Sequence, residues 1–172
     1  MRRKWRSESG LTLVELLAAV VILILLGLLL NTGLQMAVSS YRAITAQSEV
    51  ELLLATAVDA LANDLRCARD VVEQGNGGFT YTSDSFGENT SLTLEEGQIK
   101  ANGKRLLPTG AYGSGGAYRV AEMTITPAAL DESDGVIFTI KLNVETVDGA
   151  ISASTPGGGV AVRCLNPKKE DT

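Results

Sequence analysis

The chain has 172 residues, with 20 acidic and 15 basic side chains, no histidine and 18 glycines; 45% of it is apolar and 5% aromatic. That balance excludes a disordered polar chain and a collagen-like repeat. The missing histidine excludes Ser-His-Asp and Cys-His nucleophile systems and every His-ligated metal site, and the two cysteines, Cys67 and Cys164, are too few and too far apart for a CxxC redox motif or a tetracysteine zinc site. No catalytic residue, metal ligand or cofactor is therefore expected, and the informative feature is the uneven distribution of apolar residues.

Residues 16–30, LLAAVVILILLGLLL, carry no polar side chain, and the apolar stretch reaches back to Leu11 with only Thr12 and Glu15 interrupting it. Twenty helical residues span about 30 Å, enough to cross a bilayer core. Before this stretch stand Arg2, Arg3, Lys4 and Arg6 against Glu8, whereas the chain after residue 10 has 11 basic and 19 acidic side chains. Positive flanks stay cytoplasmic, so the segment predicts a single-pass membrane protein with a cytoplasmic N-terminus and an exported remainder. A secretory signal peptide needs small residues at −3 and −1 after its apolar run, and LLLNTG offers a poor site. A plain signal anchor explains length and orientation but not Glu15, since a carboxylate at the centre of a membrane helix is unfavourable by about 2.5–3.5 kcal/mol, less near the interface. A cut after Gly10 would supply a reason: the new α-amino group of Leu11 lies one helical turn from Glu15, and the two charges neutralise each other in apolar surroundings.

The run Gly10-Leu11-Thr12-Leu13-Val14-Glu15-Leu16-Leu17 resembles the class III signal of type IV pilins and type II secretion pseudopilins: a short basic leader ending in Gly, an apolar first mature residue, Thr two and Glu five places after the Gly, then a long apolar helix. Leu11 departs from the commoner Phe or Met, which bears on the efficiency of its methylation. The resemblance implies cleavage after Gly10 and N-methylation of Leu11 by a prepilin peptidase, then transfer from the membrane into a filament in which Glu15 registers each subunit against a neighbour's N-terminus.

Beyond Asn31 the chain turns polar but has no proline before Pro108. Val50, Leu54, Ala57, Leu61, Leu65, Ala68 and Val72 recur at three- and four-residue intervals, with Gln47, Glu49, Asp59, Asn63, Arg66 and Asp70 on the opposite face, the pattern of an amphipathic helix covering a sheet. Gln74-Gly75-Asn76-Gly77-Gly78 stops it. This predicts one helix from Leu11 to about Val72, with Gly27 and Gly33 as weak points costing about 1 kcal/mol each relative to Ala. In the resembled family stretching accompanies assembly near this depth, so a local break is expected around residues 27–33.

After the glycine cluster the hydrophobic period changes to two. Short strands are expected at 91–94, 98–101 and 104–107, the last two joined by the hairpin pair Asn102-Gly103. Longer strands are expected at 119–126, 136–147 and 159–165, where Phe138, Ile140, Leu142 and Val144 share one face, as do Val160, Val162 and Cys164. A single sheet with one apolar face needs a cover, which the amphipathic helix supplies. The expected fold is α+β and type IV pilin-like, a long N-terminal helix packed on an antiparallel β head. Its parts are a leader at 1–10, a transmembrane or filament-core half-helix at 11–33, an amphipathic half at 34–72 and the head at 73–172.

Cys67 on the helix and Cys164 on the last strand leave two readings: a disulfide closing about 100 residues, worth up to about 4.7 kcal/mol on the chain-entropy treatment, or two small buried thiols. The stretch Leu61-Ala62-Asn63-Asp64-Leu65-Arg66-Cys67-Ala68 is similar to the L-x-x-D-L-R-x-A run of W-type minor pilins and J-type minor pseudopilins. The late strand Gly159–Asn166 resembles their terminal strand, although Cys164 and Leu165 separate Arg163 from Asn166. That likeness implies a low-abundance subunit near a filament tip.

Other signals read more simply. The Gly110–Gly116 loop lacks the Lys-Ser/Thr of a P-loop, the acids of Leu130–Gly135 lack calcium-loop spacing, and Asn89-Thr90-Ser91 is only a three-residue glycosylation sequon. Lys104, Arg105, Tyr112, Tyr118 and Arg119 would make a small phosphate-and-stacking surface, but the acidic balance argues against general nucleic-acid binding. The resemblance implies as partners a prepilin peptidase, other pilins or pseudopilins, an inner-membrane assembly platform and, before assembly, membrane lipid. The final location it implies is an extracellular or periplasmic filament. The rival expectation is a bitopic membrane protein whose exported β head binds a ligand or partner and never assembles.

Overall fold

Leu13–Arg66 forms one α-helix of 54 residues, α1, in the computed structural model, which describes residues 12–75, 78–108, 112–113, 115–129 and 135–164. The chain divides into two compact units, Met1–Ala43 and Ile44–Thr172.

In the first unit every described residue is exposed and helical from Leu13 onward. An 18-residue window of α1 has a mean hydropathy of 3.1, so the helix is long and apolar enough to cross a membrane. The expected break at residues 27–33 is absent: α1 runs through Gly27 and Gly33, and a Cβ at either would meet nothing within 4 Å. Thr32 Oγ1 donates to the Leu28 carbonyl at 2.8 Å, so its hydroxyl is satisfied within the helix.

In the second unit α1 buries Val50, Ala57, Leu61, Ala62 and Leu65. The helix ends at Arg66, short of the expected Val72. Residues Arg69–Glu73 form strand β1 instead, paired with β2 (Phe79–Ser83), and Val72 is 58% exposed. The sequence spacing was misleading because Ala68 stays buried without being helical: its N–H bonds the Leu65 carbonyl at 3.2 Å and closes the last turn. After it, the β-branched pair Val71-Val72 favours the extended chain.

Among the described residues the strands form three antiparallel sheets rather than the single sheet expected. One is β1-β2-β3, with β3 at Gly87–Thr90; the second is β4-β5-β6, at Leu92–Glu95, Gln98–Ala101 and Lys104–Arg105. The third is built on β7 (Tyr118–Ala129) and β8 (Val136–Thr146), with β9 (Ser152–Ser154) and β10 (Val160–Cys164) both pairing β8. The alternation in β8 is as the sequence predicts, Phe138, Ile140, Leu142 and Val144 all being buried. Val162 and Cys164 join them from β10, and this face packs with the α1 stripe in one hydrophobic core. Asn102 and Gly103 take the left-handed angles (φ 49° and 73°) of the hairpin turn that their sequence calls for. Strands β1, β2, β3 and β9 were not anticipated. The fold is α+β.

Candidate functional site

Thr12 precedes the first helical residue and Glu15 lies in the first turn of α1. The Thr12 N–H donates to Glu15 Oε2 at 3.1 Å, the Thr12 hydroxyl donates to the same oxygen at 3.2 Å, and the Glu15 N–H donates back to Thr12 Oγ1 at 3.3 Å. This is a reciprocal capping box, in which two groups at the helix start satisfy each other's backbone donors. Its signature, a Thr followed three residues on by a Glu before an apolar run, is plain in Thr12-Leu13-Val14-Glu15, and sequence reasoning directed at the carboxylate's charge overlooked it. The expected processing residues Gly10 and Leu11 lie outside the described residues.

Asp64, in the second unit, is the polar centre of the helix–sheet contact. Its Oδ1 accepts the Ser83 hydroxyl at 2.6 Å and its Oδ2 accepts the Tyr81 hydroxyl. Ser83 Oγ in turn accepts the N–H groups of Ser85 and Phe86, each at 3.1 Å, shaping the turn after β2. Burial first, then the hydrogen bond to Asp64 and its charge, push the Tyr81 phenol well above its ordinary pKa. Asp64, part of the motif that carries the minor-pilin likeness, thus ties α1 to β2. Arg66 is exposed at the helix end, and the neighbouring Arg69 pairs with Asp84.

The two cysteines are not bonded to each other: Cys67 is exposed and Cys164 is buried. The disulfide reading is corrected accordingly. The Cys164 thiol donates instead to the Ala68 carbonyl, at 2.9 Å, partnering a backbone acceptor just beyond the helix end. The all-buried thiol reading fails as well, since Cys67 faces solvent.

The basic and aromatic residues noted in the sequence do not converge on one surface group. Arg119 is engaged by Glu145, at 2.8 Å from Nε and 2.5 Å from Nη2. Tyr112 is buried and its hydroxyl accepts the Ile99 N–H at 3.1 Å, burial raising its pKa, while Tyr118 is raised chiefly by its hydrogen bond to Glu49. Lys104 and Arg105 remain exposed on β6. An apolar cleft of ≈ 230 Å³ lies where Leu52 and Thr56 of α1 meet Leu107, Tyr112 and Tyr118. Residues 110, 111 and 114 of the Gly110–Gly116 loop and the acids of Leu130–Gly135 lie outside the described residues. In the sequon, Thr90 is buried and its hydroxyl donates to the Gly87 carbonyl at 2.8 Å. Among the described residues no three His, Cys, Asp or Glu side chains group to hold a metal ion. Comparison of the chain with family models, with curated proteins and with solved structures gave no match.

Proposed function

We propose that this chain is a non-enzymatic structural subunit, of the minor class, in a type IV pilus-like filament with a pilin-like fold. The observation that carries the reading is the placement of Glu15: a carboxylate hydrogen-bonded at the first turn of a helix whose next fifteen residues carry no polar side chain. In lipid or in a filament core, a charge there requires a counter-charge. Cleavage after Gly10 by a prepilin peptidase creates one, the ammonium of Leu11, within about one residue of the group that Glu15 caps. The basic leader holds the N-terminus on the cytoplasmic side and the head is exported. The apolar half of α1 then exchanges lipid for neighbouring helices, guided by an inner-membrane assembly platform, and Glu15 sets the register against the amine of another pilin or pseudopilin.

The capping box favours a second reading, because it gives Glu15 a role in any helix. In that case the chain is a bitopic membrane protein whose exported head binds a partner without assembling. Co-expression with a prepilin peptidase followed by intact-mass measurement tests the proposal. The expected product starts at a methylated Leu11; a product starting at Met1 favours the bitopic protein.

A further inference from the structure

The β4-β5 hairpin approaches the third sheet along β7. Its turn lies against the start of β7, where the Val120 N–H donates to the Gly97 carbonyl at 3.0 Å. From there β4 and β7 run antiparallel past each other, with Ser91 and Leu92 at the start of β4 opposite Met123–Ile125, and a cleft of ≈ 320 Å³ separates them. Gln74, Gly78 and Phe79 complete its lining, and none of the residues lining it carries a charge.

Both walls of this cleft are strand edges whose backbone groups point into it. In β8, the Leu142 N–H donates to Thr155 Oγ1 at 3.2 Å and its carbonyl accepts the Thr155 N–H at 3.0 Å, so the Leu142 backbone faces away from β7. Met123 lies opposite Leu142 and Ile125 opposite Ile140. Because antiparallel positions alternate between bonded and non-bonded pairs, Met123 and Ile125 are non-bonded to β8 and turn their N–H and carbonyl groups outward. Pro127, two residues on and of the same parity, has no N–H to leave unpaired, as expected on an edge strand. In β4, the Ser91 carbonyl accepts the Asn102 N–H at 3.1 Å towards β5, so Leu92 and Leu94 face the other way. Among the described residues, β4 and β7 are both end strands of their sheets, and no strand pairs with either on its outward side.

We propose that this cleft is a strand-acceptor site, which takes an extended, uncharged peptide segment of a partner chain between β4 and β7. The entering segment pairs with Leu92 on one side and with Met123 and Ile125 on the other, parallel to one wall and antiparallel to the other. Both of its own edges must be free, so it is a tail or an open loop rather than the edge strand of a folded sheet. At about 3.3 Å per residue, the outward groups of Met123 and Ile125 accommodate two or three of its residues. Recognition is by the backbone ladder, with apolar side chains lying against Phe79 and Leu92. No residue of the site lies in Met1–Ala43, so binding can be read on the uncut, unassembled chain.

Amide hydrogen exchange by NMR on the full chain in detergent micelles tests this, with the acetylated and amidated pentapeptide Thr-Val-Thr-Val-Thr as the probe. In the free protein, the amides of Leu92, Met123 and Ile125 should exchange at least tenfold faster than those of Thr124 and Thr126, which face β8. Millimolar peptide should slow the first three at least tenfold and leave the other two unchanged. The same peptide N-methylated at both valines should lose the effect on the wild-type chain. Ile125→Pro, which removes one outward N–H as Pro127 already does, should weaken binding at least tenfold while Thr124 and Thr126 stay protected. Slow exchange at Met123 and Ile125 before peptide is added overturns the proposal, as does an unchanged pattern at saturating peptide or equal protection by the N-methylated probe.

Discussion

Tyr81 of β2, 1% exposed, donates its phenol hydrogen to the carboxylate of Asp64 on α1. With Ser83 on the second oxygen, one half-buried acid gathers two donors from the sheet onto the helix. Asp64→Ala strands both donors at a helix–sheet contact and should cost on the order of 2–4 kcal/mol. Asp64→Asn keeps one acceptor and should cost less. Chemical denaturation of the full chain in detergent, followed by circular dichroism, measures both.

The same contact sets an alkaline limit. Burial and the Asp64 carboxylate favour the neutral phenol, so the folded pKa of Tyr81 lies above its unfolded value of 10.0. The folded state then holds a proton that the unfolded state releases. Its stabilising contribution is complete below pH 10 and falls as pH rises above it, by up to about 1.4 kcal/mol per unit. Tyr81→Phe should be less stable than the wild type at pH 8 but show a shallower loss between pH 10 and 11. Denaturation midpoints across that range decide it; parallel curves would deny Tyr81 the role.

Glu15 has two possible duties, and one pair of substitutions separates them. Glutamine serves as well as glutamate at the third position of a capping box, so Glu15→Gln keeps the helix start and loses the charge. Glu15→Ala loses both. If charge pairing drives assembly, both variants are processed but enter filaments at well under a tenth of the wild-type level. If capping is the whole of its function, Glu15→Gln enters normally. Quantitative blots of sheared filaments distinguish the outcomes.

Gly97 and Gly103 both adopt left-handed angles, φ 71° and 73°, but only one is crowded. A Cβ at Gly97 would lie 2.7 Å from Arg119 Cβ, whereas one at Gly103 meets open space. Gly103→Ala should cost about 1 kcal/mol for the backbone alone. Gly97→Ala adds a clash between two rigid positions and should cost about 2–4 kcal/mol. Thermal unfolding of the two variants side by side provides the comparison.

Cys67 is exposed and Cys164 is 0% exposed with its thiol on the Ala68 carbonyl. A maleimide reagent should label one thiol per native chain within minutes, at Cys67, and the second only after denaturation. Two unreactive sulfurs in native and denatured but unreduced protein would mean that a disulfide had formed. Cys164→Ser, which keeps the donor in a smaller side chain, should be tolerated better than Cys164→Val, which removes it.

Much of this architecture could be read from local pattern. The alternation of Phe138, Ile140, Leu142 and Val144, the Asn102-Gly103 turn and the stripe from Val50 to Leu65 each express a period in neighbouring residues, and each stands where expected. The failures came where local pattern was ambiguous. Ala68 and Val72 fit a helical spacing as well as a strand, and pairing of Arg69–Glu73 with Phe79–Ser83 decided the matter. The strands of β2 and β3 are rich in Ser, Thr and Gly, and the contact of Tyr81 and Ser83 with Asp64, which joins β2 to the helix, is one the sequence could not announce. Near the N-terminus the capping box was legible in Thr12 and Glu15, but attention to charge hid the simpler hydrogen-bond chemistry. The cleft between β4 and β7 was not legible at all, because it depends on which way two distant strand edges face.

Between Leu16 and Leu30 no side chain distinguishes one flank of α1 from another by polarity. Such a cylinder carries no chemical compass: turned about its long axis, it offers lipid or a neighbouring helix the same greasy surface. Whatever sets its azimuth must come from the ends of that span, and at the near end Glu15, held by Thr12, supplies a bearing.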